Sequence, residues 1–297
     1  METKGINTFE QLLEACNARG KRIWQIAQAY ESEWCEVPVN LVRKCAMESL
    51  RAMKEAINTG LHSTEMSMSG MCGNDCDKLQ KRFAVRPAVF GKTFEKMMTY
   101  ALATSEENIR MGKIVACPTA GSCGIVPAVI IAVAEDFNIS EERQVNALIT
   151  AGEIGRIISA KVSLAGAVAG CQAECGAAAA MAAGAVTQLL GGPPKQVLNA
   201  VALALKNILG LTCDPVCGLV EVPCVKRNPF MAITAMTACE LALSGIESKI
   251  PVDEVVDAMD QTGQLMSPAL KESSLGGLAR TKTALELQAK ISNCKQM

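Results

Sequence analysis

Leu164–Leu190 reads L-A-G-A-V-A-G-C-Q-A-E-C-G-A-A-A-A-M-A-A-G-A-V-T-Q-L-L. Alanine and glycine dominate it, and Gln172, Glu174, Thr187 and Gln188 interrupt its apolar run. Small side chains let helices approach closely, so the stretch predicts a helix packed among other helices and not one in lipid. Helical patterns lie on both sides. Thr8-Phe-Glu-Gln11 has the form of a capping box, followed by Phe9, Leu12, Leu13 and Cys16 at helical spacing. Asn40 to Asn58 reads as a helix closed by Gly60, and Ile125 to Phe137 as an apolar one. Ser140 opens a further helix, and Pro194 to Leu209 is bracketed by proline and Gly210. Asn228, in N-cap position before Pro229, opens a helix running to Gly245, and Pro251 to Gln261 is a short amphipathic one.

Strand signals are scarce, with Lys113–Ala116 and Leu219–Val222 the two candidate extended pieces. The expected architecture is therefore all-α, a single compact helical domain. Residues 1–60 form an N-terminal helical layer, continuous with a larger body over 61–297. Gly-rich turns at 67–78, 117–124, 210–218 and 276–277 are expected to converge on a site.

Hydrophobic residues make up 49% of the 297 and charged residues 20%, the balance of a globular chain. Net charge is −1 and ten residues are aromatic (6 Phe, 2 Trp, 2 Tyr), so no basic, aromatic-studded surface for nucleic acid is expected. The N-terminus lacks a basic segment followed by an apolar one. The longest apolar run, Ile125–Ala134, falls well short of the ~20 residues that span a bilayer. A cytoplasmic location with no membrane association is expected.

Fourteen cysteines is a high count. Without a secretory signal, disulfides are the weaker explanation, and buried free Cys acts as a small hydrophobe. Cys16, Cys45 and Cys239 fall in helical apolar patterns and read as core. Cys171, Cys213 and Cys224 differ, each in a turn punctuated by Gly or Pro. Thiolates from three separate segments can hold an iron–sulfur cluster with one iron left open. Spacing alone does not establish this. No C-x-x-C occurs, which removes zinc ribbons, thioredoxin-like sites and ferredoxin runs. The three C-x-x-x-C pairs, Cys72/Cys76, Cys171/Cys175 and Cys213/Cys217, lack the further Cys of a radical-cluster motif.

Cys117-Pro-Thr-Ala-Gly-Ser-Cys-Gly124 precedes an apolar helix. Thr119, Gly121 and Ser122 there make either an anion site for a carboxylate or an ordinary capped helix entry. Ser69–Leu79 is a polar loop in which Asp75 and Lys78 either point into a site or face water. His62 is the sole histidine, the residue type for a general base, though a loop His is commonly just solvated. Arg227 either clamps a carboxylate or faces water. Glu174, three residues after Cys171, orients its loop or serves as a base.

The motifs C-P-T-A-G-S-C-G-I-V-P, G-C-Q-A-E, C-D-P-V-x-G-L-V-E-V-P-C-V-K-R-N and G-G-L-A (Gly276–Ala279) resemble the alpha subunit of iron–sulfur-dependent L-serine dehydratase. The resemblance runs from about Ser69 to Ala279 and more loosely over the N-terminal helices. It implies an all-helical fold and a 4Fe–4S cluster held by Cys171, Cys213 and Cys224. It also implies substrate binding by the Thr119–Ser122 turn and a separate beta subunit that completes the enzyme; Arg227 and Asn228, just after Cys224, are further candidate substrate-binding residues. The implied reaction is amino-acid degradation, the elimination of water from L-serine to give pyruvate and ammonia. Val168 stands where the family often has an acidic residue. Extra Cys lie beside the motifs at 72, 76, 117, 175 and 217. Cys294 is a candidate removable fourth ligand. These departures leave open elimination on another amino acid such as cysteine, different cluster ligands, or a non-catalytic regulatory subunit. An electron-transfer protein would need a fully ligated cluster. A pyridoxal-phosphate dehydratase would need an α/β fold and a Schiff-base lysine, which the helical pattern opposes.

Overall fold

The computed structural model describes residues 5–294, with side chains to 292. Among the described residues, thirteen α-helices and three short 3₁₀ helices make up the regular structure. The α-helices are α1 (Phe9–Arg19), α2 (Ile23–Trp34), α3 (Val39–His62), α4 (Asp75–Val85), α5 (Lys92–Ile109), α6 (Ile125–Asp136) and α7 (Glu141–Lys161). After them come α8 (Gly166–Ala169), α9 (Cys171–Leu189), α10 (Pro194–Lys206), α11 (Cys224–Leu243), α12 (Val252–Leu265) and α13 (Lys282–Cys294). Among the described residues there is no strand. The pieces at 113–116 and 219–222 are irregular, and the two isolated bridges join Met66 to Gly73 and Cys213 to Lys271. No described helix is long and apolar enough to cross a membrane.

The Ala/Gly stretch lies at the centre. Every residue of α9 from Cys175 to Leu189 is buried, and α6, α7, α10 and α11 pack around it. The reason is side-chain size. A Cβ added at Gly184 would stand 3.1 Å from Val201 and 3.3 Å from Val197 of α10, so the helices meet nearly backbone to side chain. α6 is buried along Ile125–Ala134, which explains an apolar run with no polar face. The N-terminal helices close one side, α2 on α7 and α3 on α5.

Thr8 caps α1 as its motif predicts: Gln11 N donates to Thr8 Oγ1 at 3.1 Å and Thr8 N to Gln11 Oε1 at 3.2 Å. Three expectations change. Gly60 does not close α3; it sits inside the helix, buried, where a Cβ would strike the Ala103 backbone of α5. Cys45 is exposed, whereas Cys16 and Cys239 are core. Asn228 does not open a helix, because α11 already begins at Cys224 and carries Asn228 and Pro229 inside.

Candidate metal centre

Cys171 and Cys213 meet beside Glu174, and Cys224 lies near enough to feel the Cys171 and Glu174 charges. Cys171 is the first residue of α9, after Gly170 in a left-handed conformation, so it leads a helix and does not lie in a loop. Cys224 likewise leads α11. Cys213 lies in the irregular segment between α10 and α11. Its N–H donates to the Leu270 carbonyl at 2.9 Å, and its carbonyl accepts from Glu272 N at 2.6 Å. All three are buried. Donor atoms of Cys171, Glu174 and Cys213 lie within 4.8 Å of one another. Gly166 of α8 leaves the room for this, since a Cβ there would come 2.8 Å from Cys213 Sγ and 3.5 Å from Glu174 Oε2.

The thiols are unequal. Hydrogen bonds from Cys175 and Cys213, aided by Arg227, hold the Cys171 thiol well below the usual range and favour its thiolate. Cys175 and Cys213 are pushed up as the protonated donors to that thiolate. Burial, with the Cys171 and Glu174 charges, raises Cys224 to about 12. Cys175 joins this group one helical turn beyond Cys171; its i,i+4 spacing places both on one face of α9.

Glu174 links the thiols to the Gly-rich turn. Its Oε2 lies 3.8 Å from Cys171 Sγ, and its Oε1 accepts a short hydrogen bond from the Thr119 hydroxyl. Burial raises its pKa to about 7, the Thr119 bond opposes this, and the neighbouring Cys171 charge adds to it. Ser122 is buried, 3.1 Å from the Thr119 hydroxyl. Within the turn, Thr119 N donates to Ser122 Oγ, Cys123 N to the Ala120 carbonyl and Ile125 N to the Ser122 carbonyl. The turn stands at the N-terminus of α6, the positive end of its dipole.

Asn228 is fully buried and ties this turn to Cys224. Its Oδ1 accepts from Gly124 N at 2.9 Å, and its Nδ2 donates to the Gly121 and Cys224 carbonyls at 2.8 and 3.1 Å. Arg227 donates to the Thr212 carbonyl at 2.9 Å and to Asp214 Oδ1 at 3.1 Å. The other two turns also reach this region. Ser67 and Ser69 donate to Glu221 at 2.6 and 2.8 Å, Lys226 pairs with Asp75 at 2.7 Å, and Leu278 N donates to Asp214 Oδ2 at 2.8 Å.

Two sequence candidates take other partners. His62 is exposed at the end of α3, its Nδ1 2.7 Å from the Asn58 carbonyl. Lys78 is exposed and pairs with Asp75 at 3.1 Å. The side chain of Cys294 lies outside the described residues. Asp214 was missed by motif reading. Its only local signal is its place directly after Cys213; its partners, Arg227 and Leu278, lie 13 and 64 residues away.

The family model described as serine dehydratase alpha chain matches residues 18–279. The chain is 43% identical over 282 residues to the probable L-serine dehydratase alpha chain of Bacillus subtilis (strain 168), covering 95% of this chain and 94% of that one. It is 38% identical over 283 residues to the L-serine dehydratase alpha chain of Peptoniphilus asaccharolyticus, covering 95% and 97%. The L-serine dehydratase of Helicobacter pylori (strain ATCC 700392 / 26695) is 37% identical over 284 residues, covering 93% of this chain but 61% of that longer protein. Matched over most of its length by the family model and by these relatives, the chain belongs to the serine dehydratase alpha chain family.

Proposed function

We propose that this chain is the metal-bearing half of an L-serine dehydratase, which converts L-serine to pyruvate and ammonia. The observation that carries the reading is the gathering of buried Cys171 and Cys213 from separate segments beside Glu174, which bonds the Thr119–Ser122 turn, with buried Cys224 close enough to feel the Cys171 and Glu174 charges. The donor set fits a 4Fe–4S cluster: soft sulfur ligands, secluded from water, from three points of the backbone. Cys171, Cys213 and Cys224 would hold it, and when bound it supplies Lewis acidity toward a departing hydroxyl. Cys171 is held low and so favours the thiolate a metal needs, whereas Cys213 and Cys224, held high, release protons on binding the metal.

The protein does the rest. The amides of the Thr119–Ser122 turn and the Ser122 hydroxyl, at the N-terminus of α6, orient the substrate carboxylate. Glu174 Oε2 takes the α-proton, while the Thr119 hydroxyl fixes the other carboxyl oxygen. With the Cβ–O bond broken and the hydroxyl lost as water, the remaining aminoacrylate tautomerises to its imine, which water hydrolyses to pyruvate and ammonia. A separate beta subunit supplies what longer single-chain relatives carry beyond the region matched here, and the assembly works in the cytoplasm.

One observation favours a second reading. Cys171, Glu174 and Cys213 are close enough to bind one ion such as zinc. Anaerobic co-expression with a beta chain, followed by addition of L-serine, separates the two. Oxygen-sensitive pyruvate release from an iron- and sulfide-containing protein is expected. A zinc-bound protein that releases no pyruvate from L-serine refutes the proposal.

A further inference from the structure

Cys213 poses a positional problem that Cys171 and Cys224 do not. Those two lead helices, whose hydrogen bonds fix them. Cys213 sits in irregular chain, yet its sulfur must meet the others closely. Backbone bonds to Leu270 and Glu272 hold it from one side. From the other side comes Arg227. Its Nη1 donates to the carbonyl of Thr212, the residue before Cys213. Its Nη2 donates to the carboxylate of Asp214, the residue after it. Arg227 itself stands three residues beyond Cys224 on the first turn of α11. Its guanidinium also faces Cys171. The Asp214 oxygen not used by Arg227 accepts from Leu278 N, so the Gly276–Ala279 turn is tied into the same bridge.

We propose that Arg227 is a positioning residue that grips both neighbours of Cys213 and so sets that cysteine against Cys224 and Cys171, with Asp214 extending the grip to the Gly276–Ala279 turn. Its two terminal nitrogens, the fork a substrate carboxylate would need, are already engaged by Thr212 and Asp214. The Arg227 and Asp214 side chains are 14% and 7% exposed. A buried ion pair adds little stability over apolar packing, and its value here is register. The grip depends on a rigid planar fork, so a lysine of equal charge cannot reproduce it. The inference rests on the three-cysteine reading of the centre.

The test compares Arg227→Gln, Arg227→Lys and the milder Asp214→Asn with the wild-type chain. In the metal-free, reduced protein, iodoacetamide alkylation of each cysteine is followed by mass spectrometry, with buried Cys239 reporting global folding. The grip predicts Cys213 alkylation rising about tenfold in both Arg227 variants and less in Asp214→Asn, with Cys239 unchanged, the scale typical of partners that orient metal ligands. In the iron-loaded protein the visible absorption should then bleach about tenfold faster in chelator for both Arg227 variants. If Arg227→Lys behaves as wild type, charge and not the fork is what counts, and the inference fails. It also fails if Cys213 reacts at the wild-type rate in Arg227→Gln and Asp214→Asn. A wild-type chain that takes up no iron overturns the cluster reading instead, and the alkylation rates still decide the role of Arg227.

Discussion

Glu174 is held between a hydroxyl that favours its charge and a thiolate that opposes it, in surroundings that desolvate it. In the metal-free chain its pKa stands near 7 against an ordinary 4.5, raised by burial first and by the Cys171 and Glu272 charges. The folded chain therefore keeps this proton at pH values where the unfolded chain has lost it. Stability from Glu174 is fully present below pH 4.5, falls as pH rises toward 7, and then levels. The span is on the order of a few kcal/mol. Urea midpoints of the metal-free protein between pH 4.5 and 7.5 should fall less steeply in Glu174→Gln than in wild type; parallel curves would show that Glu174 is not held protonated. The cysteines are separable in the same way. Cys213→Ala should abolish retention of iron, whereas Cys239→Ala, a core substitution inside α11, should keep it and lose about 1 kcal/mol of stability. Equal iron in the two variants would remove Cys213 from the ligand set.

Between elements, caps and close approaches act over long sequence distances. Asn228, just before Pro229, has the local chemistry of a cap for its own helix. It is a cap, but for α6, where Gly124 N donates to its side chain across 104 residues. Glu106 likewise accepts from Asp75 N and Cys76 N at the start of α4, and Asp253 from Phe9 N and Glu10 N at the start of α1. Local patterns revealed α6, α9 and the Thr8 box because burial on all sides, or a bond three residues long, leaves its mark in adjacent residues. A cap supplied from another helix leaves none. Gly60 shows the same limit: its reason is the Ala103 backbone on α5. Gly60→Ala would gain about 1 kcal/mol of helix propensity in α3. The collision should outweigh this, for a net loss of about 1–2 kcal/mol by urea denaturation. A more stable Gly60→Ala protein would mean that α3 and α5 do not meet so closely.

Across the whole molecule, the fold brings the start of α9 to the chain between α10 and α11, and the start of α11 bonds that same chain through Arg227. α9 and α11 deliver Cys171 and Cys224 at their first residues, and the chain between α10 and α11 delivers Cys213. The motifs named these three cysteines through resemblance, whereas spacing did not, because they lie 42 and 11 residues apart with the helices α9 and α10 between the first two. What the sequence left hidden is how they are held: the Asn228 tie, the Asp214–Arg227 pair and the thiol of Cys175 against Cys171 all arise from contacts between elements. The most direct test is anaerobic reconstitution of the purified chain with iron and sulfide, followed by assay of iron, acid-labile sulfide and visible absorption. About four irons and four sulfides per wild-type chain are expected, and none stably retained in the Cys171, Cys213 or Cys224 alanine variants. Iron retained equally by those variants, or a wild-type chain that binds no iron and sulfide, would contradict the cluster reading.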